Sequence, residues 1–244
     1  MCRMMGAVFR GEFPTASLKD LRHVSATGRI PGEPQPGHRD GWGIVSFRQG
    51  MPYYIHRSAE SASKDPAFTS ALKEIPKLEP PNILIAHVRA LSQGVASIPN
   101  THPFIMNGLV LAHNGTMTDF KPRTYHKPAG ETDSELLMAL LADKMEAKED
   151  LRGAVTSLIK EDISKNSFSA AILLISDGRK LYGYRDYAPD RSPEYYDLRI
   201  ARCAECVVLF QESRMSYECE LPRVRKGELV IVDIDLNIER EMIV

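Results

Sequence analysis

The sequence predicts an α+β protein in which antiparallel strand pairs and separate helices form one domain over residues 1–244. Turn residues at 48–50 and at 177–179 each separate two strand-like runs, a pattern typical of β-hairpins. Other segments repeat apolar residues at helical spacing and end near glycine or proline. A chain of 244 residues is long enough to bury one large hydrophobic core.

The individual elements follow from the same patterns. We predict helices at 18–26, 65–78, from 132 onward and at 151–163. We predict strands at 3–10, 44–47, 51–56, 82–89, 109–113, 170–176, 180–184, 206–210 and 228–234. Residues 28–41 are rich in glycine and proline, which predicts a surface loop or a lid over a site. Residues 186–197 are predicted to form an irregular segment.

Composition and charge narrow the classes of function. No stretch has the apolar length that spans a bilayer, and the first residues lack the pattern of a secretory signal, so we expect a cytoplasmic protein. The net charge of -1 provides no general attraction to nucleic acid or to an anionic membrane. We therefore expect a small-molecule substrate.

The four cysteines do not predict a disulfide framework, because their number and spacing are unusual for one in a chain of this size. Cys203 and Cys206 form a C-x-x-C pair, and Cys219 follows. A structural zinc site usually needs four nitrogen or sulfur ligands, and no histidine follows His126. We therefore predict incidental cysteines and no metal.

Cys2 has two interpretations. At the start of a predicted strand it could be an ordinary buried cysteine, which behaves as a small apolar residue. If Met1 is removed, however, Cys2 carries both a thiol nucleophile and a free α-amine, so it needs no distant histidine as a base. Its position alone does not decide between the two.

Three later segments offer polar groups at the ends of predicted elements. Arg89 ends a strand and could hold a carboxylate in a bidentate pair, or form a surface ion pair. Asn114-Gly115 could be a hairpin turn, or an oxyanion hole built from a side-chain amide and a glycine N–H. Residues 132–135 fit a helix capping box, although Asp133 could also meet a ligand's ammonium group.

These segments together resemble the class II glutamine amidotransferase family. The motifs that carry the resemblance are Cys2, His38-Arg39-Asp40-Gly41-Trp42-Gly43, His87-Val88-Arg89, Asn100-Thr101-His102-Pro103, His113-Asn114-Gly115 and Thr132-Asp133-Ser134-Glu135. The resemblance is clearest from Cys2 to Glu135 and is closest to small stand-alone members, without a fused synthase domain. It implies the N-terminal-nucleophile hydrolase fold, a four-layer αββα sandwich of two antiparallel sheets.

The resemblance also implies roles for individual residues. Cys2 would attack the side-chain amide of glutamine, while Asn114 and the Gly115 N–H would stabilise the oxyanion. Arg89 would hold the substrate carboxylate and Asp133 its ammonium group, with Ser92 as a further substrate contact. No metal or cofactor is implied.

One departure from the family pattern bears on the shape of the substrate pocket. Many relatives carry a tryptophan after the arginine and then a threonine-histidine pair, whereas this chain has Ala90 and Leu91, and Ser92 keeps a hydroxyl.

Three functions therefore stay open. The favoured one is a glutaminase that supplies ammonia to a separate acceptor synthase. The others are an amidohydrolase of a larger γ-glutamyl compound and a catalytically silent regulatory subunit. The silent subunit applies if Met1 is retained.

Overall fold

Two stacked antiparallel sheets with helices on their outer faces make up the protein, as seen in a computed structural model that describes residues 2–92, 94–148, 150–213 and 219–244. This arrangement confirms the predicted α+β class and the four-layer sandwich. Met1, on whose removal the predicted role of Cys2 as a nucleophile depends, lies outside the described residues.

The elements have the following bounds. The strands are β1 Arg3–Phe9, β2 Trp42–Arg48, β3 Met51–Ser58, β4 Asn82–Val88, β5 Phe104–Met106, β6 Leu109–Met117, β7 Phe168–Ser176, β8 Lys180–Tyr187, β9 Arg199–Arg202, β10 Cys206–Phe210, β11 Glu220–Leu221, β12 Glu228–Asp233 and β13 Ile238–Met242. The helices are α1 Thr15–Thr27, α2 Pro66–Glu74, α3 Asp133–Lys148 and α4 Leu151–Ser157. A 3-10 turn at Ile75–Lys77 extends α2, and a π-helical turn at Leu158–Ile163 extends α4.

Each interface between layers is apolar. The first sheet has the order β11-β9-β10-β1-β4-β2-β3 and the second the order β13-β12-β8-β7-β6-β5. Alternation along β1 places Met4 and Val8 between the sheets, and Met5 against the outer layer that contains α1 and α2. Helices α3 and α4 cover the other sheet through residues such as Leu137 and Val155.

The pairing of β1 with β4 positions two predicted site residues. The strands are antiparallel and Arg3 pairs with Val88, so the start of β1 lies beside the end of β4. The residues just beyond this pair are Cys2 and Arg89. Strand β6 faces β1 and β4 from the second sheet, and α3 packs on its outer side.

Most predicted elements are confirmed, with three kinds of difference. Helix α1 begins three residues before the predicted start. The predicted helix at 65–78 is α-helical only over Pro66–Glu74, because Asp65 caps its start by accepting a hydrogen bond from the Ala67 N–H and a 3-10 turn follows at its end. Short strands β5, β9, β11 and β13 escaped prediction. Their residues form strands because neighbouring strands supply the hydrogen bonds, a long-range contribution that local patterns do not contain.

The prediction for the late cysteines was wrong in one respect. Cys203 and Cys206 form a disulfide, because the β9–β10 hairpin holds their Cα atoms 4.9 Å apart. Cys219 is exposed and is not disulfide-bonded. Among the described residues, no group of three or more His, Cys, Asp or Glu side chains could hold a metal ion. None of the helices in that part of the chain is long and apolar enough to cross a membrane.

Candidate active site

Cys2 lies buried at the start of β1, with 8% of its surface exposed and no disulfide bond. Its backbone N–H donates to Oδ1 of Asn114 over 2.9 Å, across 112 residues of sequence. Its Sγ lies 3.8 Å from the Ala90 carbonyl oxygen, just past the end of β4. Burial alone would fit an ordinary core cysteine, but the polar contacts place Cys2 at a junction of the two sheets.

Asn114 and Gly115 lie inside a strand and form no hairpin turn. The predicted strand at 109–113 continues to Met117, and Asn114 and Gly115 pair with Ile172 and Ala171 of β7. Gly115 has a φ of +154°, and a Cβ at this position would collide with the Ala170 carbonyl oxygen. The tight-turn interpretation is therefore wrong, and glycine is required here by close backbone packing.

Strand β6 is irregular just after Gly115, and a hydrogen bond at this place connects the strand to α3. The register with β7 shifts between Gly115 and Met117, which marks a β-bulge. The Met117 N–H donates to Oδ2 of Asp133 over 2.6 Å, and the Ser134 N–H donates to Oδ1 over 2.9 Å. Two backbone donors thus fix the buried Asp133 carboxylate at the start of α3.

The capping box at this helix start is only half formed. Thr132 accepts a hydrogen bond from the Glu135 N–H at 3.3 Å, as predicted. The Glu135 carboxylate does not return to Thr132 but accepts from the Ala129 and Gly130 N–H groups. It therefore shapes the chain that leads into α3, because a carboxylate can accept from two adjacent backbone donors.

Arg89 is buried, with 3% of its surface exposed, so the surface ion pair is wrong. Its Nη1 donates to the Val95 carbonyl oxygen over 3.0 Å. Burial lowers the pKa of Arg89, while the nearby Cys2 and Asp40 oppose this shift, and the guanidinium stays charged at neutral pH. A buried cation beside Cys2 is well placed to meet an anionic ligand.

The structure does not join Ser92 to the other predicted site residues. Ser92 lies exposed in the segment after β4 and makes no hydrogen bond to any residue in the described part of the chain. Its neighbour Leu91 is tied down, because its N–H donates to Oδ2 of Asp40 over 2.7 Å.

His113 adds a hydrogen-bond relay between the second sheet and α3. Its Nε2 lies 3.2 Å from the Ala170 carbonyl oxygen, which can only accept, so Nε2 carries a proton. Burial lowers the pKa of His113, although Asp133 opposes this, so the ring is neutral and Nδ1 is an acceptor. The Ser134 hydroxyl, 2.9 Å away, therefore donates to Nδ1.

Two further histidines are buried beside this relay. The rings of His87 and His102 stack with centroids 4.2 Å apart, and burial lowers the pKa of both well below the usual value. Neither ring nitrogen of His102 has a hydrogen-bond partner among the described residues.

We expect these buried histidines to make folding stability depend on pH. Unfolded histidine takes up a proton near pH 6.5, whereas the folded rings resist protonation, so the free energy of unfolding should fall as pH drops below about 6.5. Each histidine contributes a slope of at most about 1.4 kcal/mol per pH unit. Urea unfolding between pH 5 and 8 should show a shallower slope for His102→Phe.

The exposed His23 on α1 provides the control for this measurement. His23→Gln should keep the parent slope. An unchanged slope in His102→Phe would mean that this ring is protonated in the folded protein, contrary to its burial.

Three residues near the site escaped prediction. Gln211 accepts a hydrogen bond from Nδ2 of Asn114, and Nη1 of Arg3 donates to the Cys2 carbonyl oxygen. Asp40 holds both Leu91 and the Arg89 backbone, since the Asp40 N–H donates to the Arg89 carbonyl oxygen. Only Asp40 stood within a recognised motif, and no local pattern marked Gln211 or Arg3.

A large cavity borders the residue after Cys2. Its volume is about 850 Å³, and Arg3 and Tyr195 line one side. The predicted loop at 28–41 contributes Arg29, Ile30 and three of its prolines to the lining. The lining thus combines arginines with aromatic and apolar groups, and it also carries the carboxylates of Glu33, Glu194, Asp197 and Glu212.

Comparison with known sequences gives one family match. Residues 1–212 match the sequence profile of the class-II glutamine amidotransferases. An uncharacterized protein of Methanocaldococcus jannaschii is 29% identical over 77% of this chain and 51% of its own length. A glutamine--fructose-6-phosphate aminotransferase of Zymomonas mobilis is 33% identical over 78% of this chain and 29% of its own length. The matched part thus covers about half of the first relative and under a third of the second.

Solved structures support the fold. A class-II glutamine aminotransferase domain protein from Silicibacter pomeroyi is 16% identical, with a TM-score of 0.62 and 98% of both chains covered. An allosteric regulatory enzyme of purine biosynthesis is 18% identical, with a TM-score of 0.69 over 100% of this chain and 49% of that one. At such identities the likeness extends to the fold alone.

Proposed function

Because the chain belongs to the class-II glutamine amidotransferases, we propose that it hydrolyses the side-chain amide of glutamine, with Cys2 as the nucleophile. The observation that carries this proposal is the hydrogen bond from the Cys2 N–H to Oδ1 of Asn114. It joins the proposed nucleophile to the proposed oxyanion donor in one buried contact. Arg89 directly follows β4, and Asp133 begins α3.

The proposed reaction begins once Met1 has been removed. The Cys2 α-amine keeps a lone pair while one of its N–H groups donates to Asn114, so it can accept the thiol proton, directly or through a water. The sulfur then bonds to the amide carbon, and the carbonyl oxygen becomes an oxyanion held by Asn114 Nδ2 and the Gly115 N–H. The C–N bond breaks as the amine returns the proton, and ammonia leaves a γ-glutamyl thioester. Water then cleaves the thioester, which releases glutamate and restores the thiol.

The remaining groups bind the ends of the substrate in this proposal. The Arg89 guanidinium pairs with the α-carboxylate, because its fork of donors matches two carboxylate oxygens. The Asp133 carboxylate accepts from the α-ammonium, and its two backbone donors fix its position in advance. Ser92 stays a proposed substrate contact. The released ammonia would pass to a separate acceptor synthase.

The test combines intact mass with turnover. We expect the purified protein to have lost Met1, to gain one adduct at Cys2 from an electrophilic glutamine analogue, and to release ammonia from glutamine. Retained Met1 with no adduct and no turnover would contradict the proposal and favour the silent subunit, because an acylated amine is a poor base.

One observation favours a second candidate, an amidohydrolase that acts on a larger γ-glutamyl compound. The cavity of about 850 Å³ is far larger than a leaving ammonia requires, and it borders Arg3, whose Nη1 donates to the Cys2 carbonyl oxygen. Values of kcat/KM for glutamine and for a series of γ-glutamyl amides separate the two candidates. Faster turnover of the larger amides would favour the second.

A further inference from the structure

A chain of buried amides connects Asn114 to a distant segment. Asn114 donates from Nδ2 to Oε1 of Gln211 over 3.1 Å, and Gln211 donates from Nε2 to the Asp197 backbone carbonyl over 3.2 Å. The Gln211 N–H also donates to the Met4 carbonyl oxygen over 3.1 Å, which ties this residue to β1. Both amide side chains are buried, with 0% of Asn114 and 1% of Gln211 exposed.

The neighbouring residue, Glu212, is connected to the Cys2 carbonyl group through Arg3. Its Oε2 accepts a hydrogen bond from Nε of Arg3 over 2.7 Å, and the Arg3 guanidinium lies 3.8 Å from the centre of the Tyr195 ring. Nη1 of Arg3 donates to the Cys2 carbonyl oxygen over 3.1 Å. Gln211 thus reaches the Cys2 N–H through Asn114, while Glu212 reaches the Cys2 carbonyl through Arg3.

The direction of each amide follows from its partners. The Asp197 carbonyl can only accept, so the NH₂ group of Gln211 must face it, and Oε1 of Gln211 must face Asn114. Asn114 must then turn its NH₂ group toward Gln211 and its oxygen toward the Cys2 N–H. A reversed Asn114 would place two oxygens together at Gln211 and would leave a buried N–H group facing the Cys2 N–H.

This direction matters for the reaction proposed above. An NH₂ group has two N–H donors, and Gln211 occupies one of them, so the second stays available. A reversed amide would present an oxygen to the developing oxyanion and would repel it. Preorganised donors stabilise a transition state because they need not turn when the charge develops.

We propose that Gln211 is a positioning residue that fixes the Asn114 amide with its donor toward the oxyanion. This inference rests on the proposed function, since it assumes that Asn114 serves the reaction. Gln211 itself does not touch the reacting atoms. Its effect should appear in the transition state and only weakly in substrate binding, because Arg89 and Asp133 are held by other partners.

The test removes the amide of Gln211 with little change of shape. Gln211→Met keeps an unbranched side chain of similar length without donors or acceptors. We expect kcat for glutamine to fall about tenfold or more, while KM stays within about threefold. The effect should not add to that of Asn114→Ala in a double-mutant cycle, because both variants remove the same donor. Gln49→Met, at an exposed position in the turn between β2 and β3, is the control and should leave both constants unchanged.

A second measurement does not depend on activity. The side-chain NH₂ of Asn114 should give NMR signals that exchange slowly with solvent in the parent and faster in Gln211→Met. Faster exchange together with no glutamine turnover in the parent would support the positioning and contradict the proposed function. An unchanged kcat, or losses that add to those of Asn114→Ala, would overturn the positioning role.

Discussion

Cys2→Ala is expected to abolish glutamine hydrolysis, with a fall in kcat of roughly ten-thousandfold or more. The variant removes the only group proposed to form a bond with the substrate, and the α-amine and oxyanion donors cannot replace a nucleophile. Release of glutamate and ammonia, followed over hours at high protein concentration, measures the residual rate. Loss of the adduct with the electrophilic glutamine analogue should accompany it.

The exposed Cys219 provides the matched control for this prediction. Cys219→Ala should keep the parent rate and the adduct, because a thiol outside the site has no part in the reaction. Both variants should unfold at temperatures close to the parent, since Cys2→Ala deletes a single sulfur atom. A Cys2→Ala protein with more than a tenth of the parent activity would refute the proposed nucleophile.

Sequence patterns predicted those candidate-site residues that stand at the ends of elements. Arg89 follows an alternating strand, and Asp133 stands at a helix start with its own capping signal. Such signals are local, so they survive in a single sequence without knowledge of the tertiary fold. The approach of Cys2 to Arg89 needed one further fact, the antiparallel pairing of β1 with β4.

Local signals failed where tertiary pairing dominates. Asn114-Gly115 has the sequence of a hairpin turn. In the structure both residues pair with β7, and after the bulge before Met117 the strand continues, so no turn forms. Gln211 shows no pattern at all, because its role depends on β10 lying beside β1 and on an amide 97 residues away. Contacts of this kind become visible only when the sheet order is known.

The sequence was also incomplete for three histidines. His87, His102 and His113 each stood in a motif that resembled the family, but the motif gave no reason for a histidine. In the structure His87 and His102 stack on each other, whereas His113 connects β6 to the Ser134 hydroxyl of α3, beside Asp133. The sequence thus named these positions, whereas their protonation follows from burial and from the partners of each ring nitrogen.

Asn114→Asp is expected to lower kcat for glutamine by about a hundred- to a thousandfold, the usual loss when one oxyanion donor is removed. Aspartate nearly preserves the size of the side chain, and one carboxylate oxygen can still accept from the Cys2 N–H. The other oxygen replaces Nδ2, so it can no longer donate and repels both the oxyanion and Oε1 of Gln211. KM should change much less, because the proposed contacts of Arg89 and Asp133 with the ends of the substrate would stay in place.

An aldehyde analogue of glutamine separates this explanation from simple misfolding. Attack by Cys2 converts the aldehyde into a tetrahedral adduct that carries an oxyanion, so Asn114→Asp should weaken its binding in proportion to the loss of kcat. Asn166→Asp, at an exposed position, should change neither value. If Asn114→Asp raised KM and kcat together, so that kcat/KM and binding of the aldehyde stayed at parent levels, Asn114 would contact the substrate in its ground state only. The oxyanion would then depend on the Gly115 N–H without help from this amide.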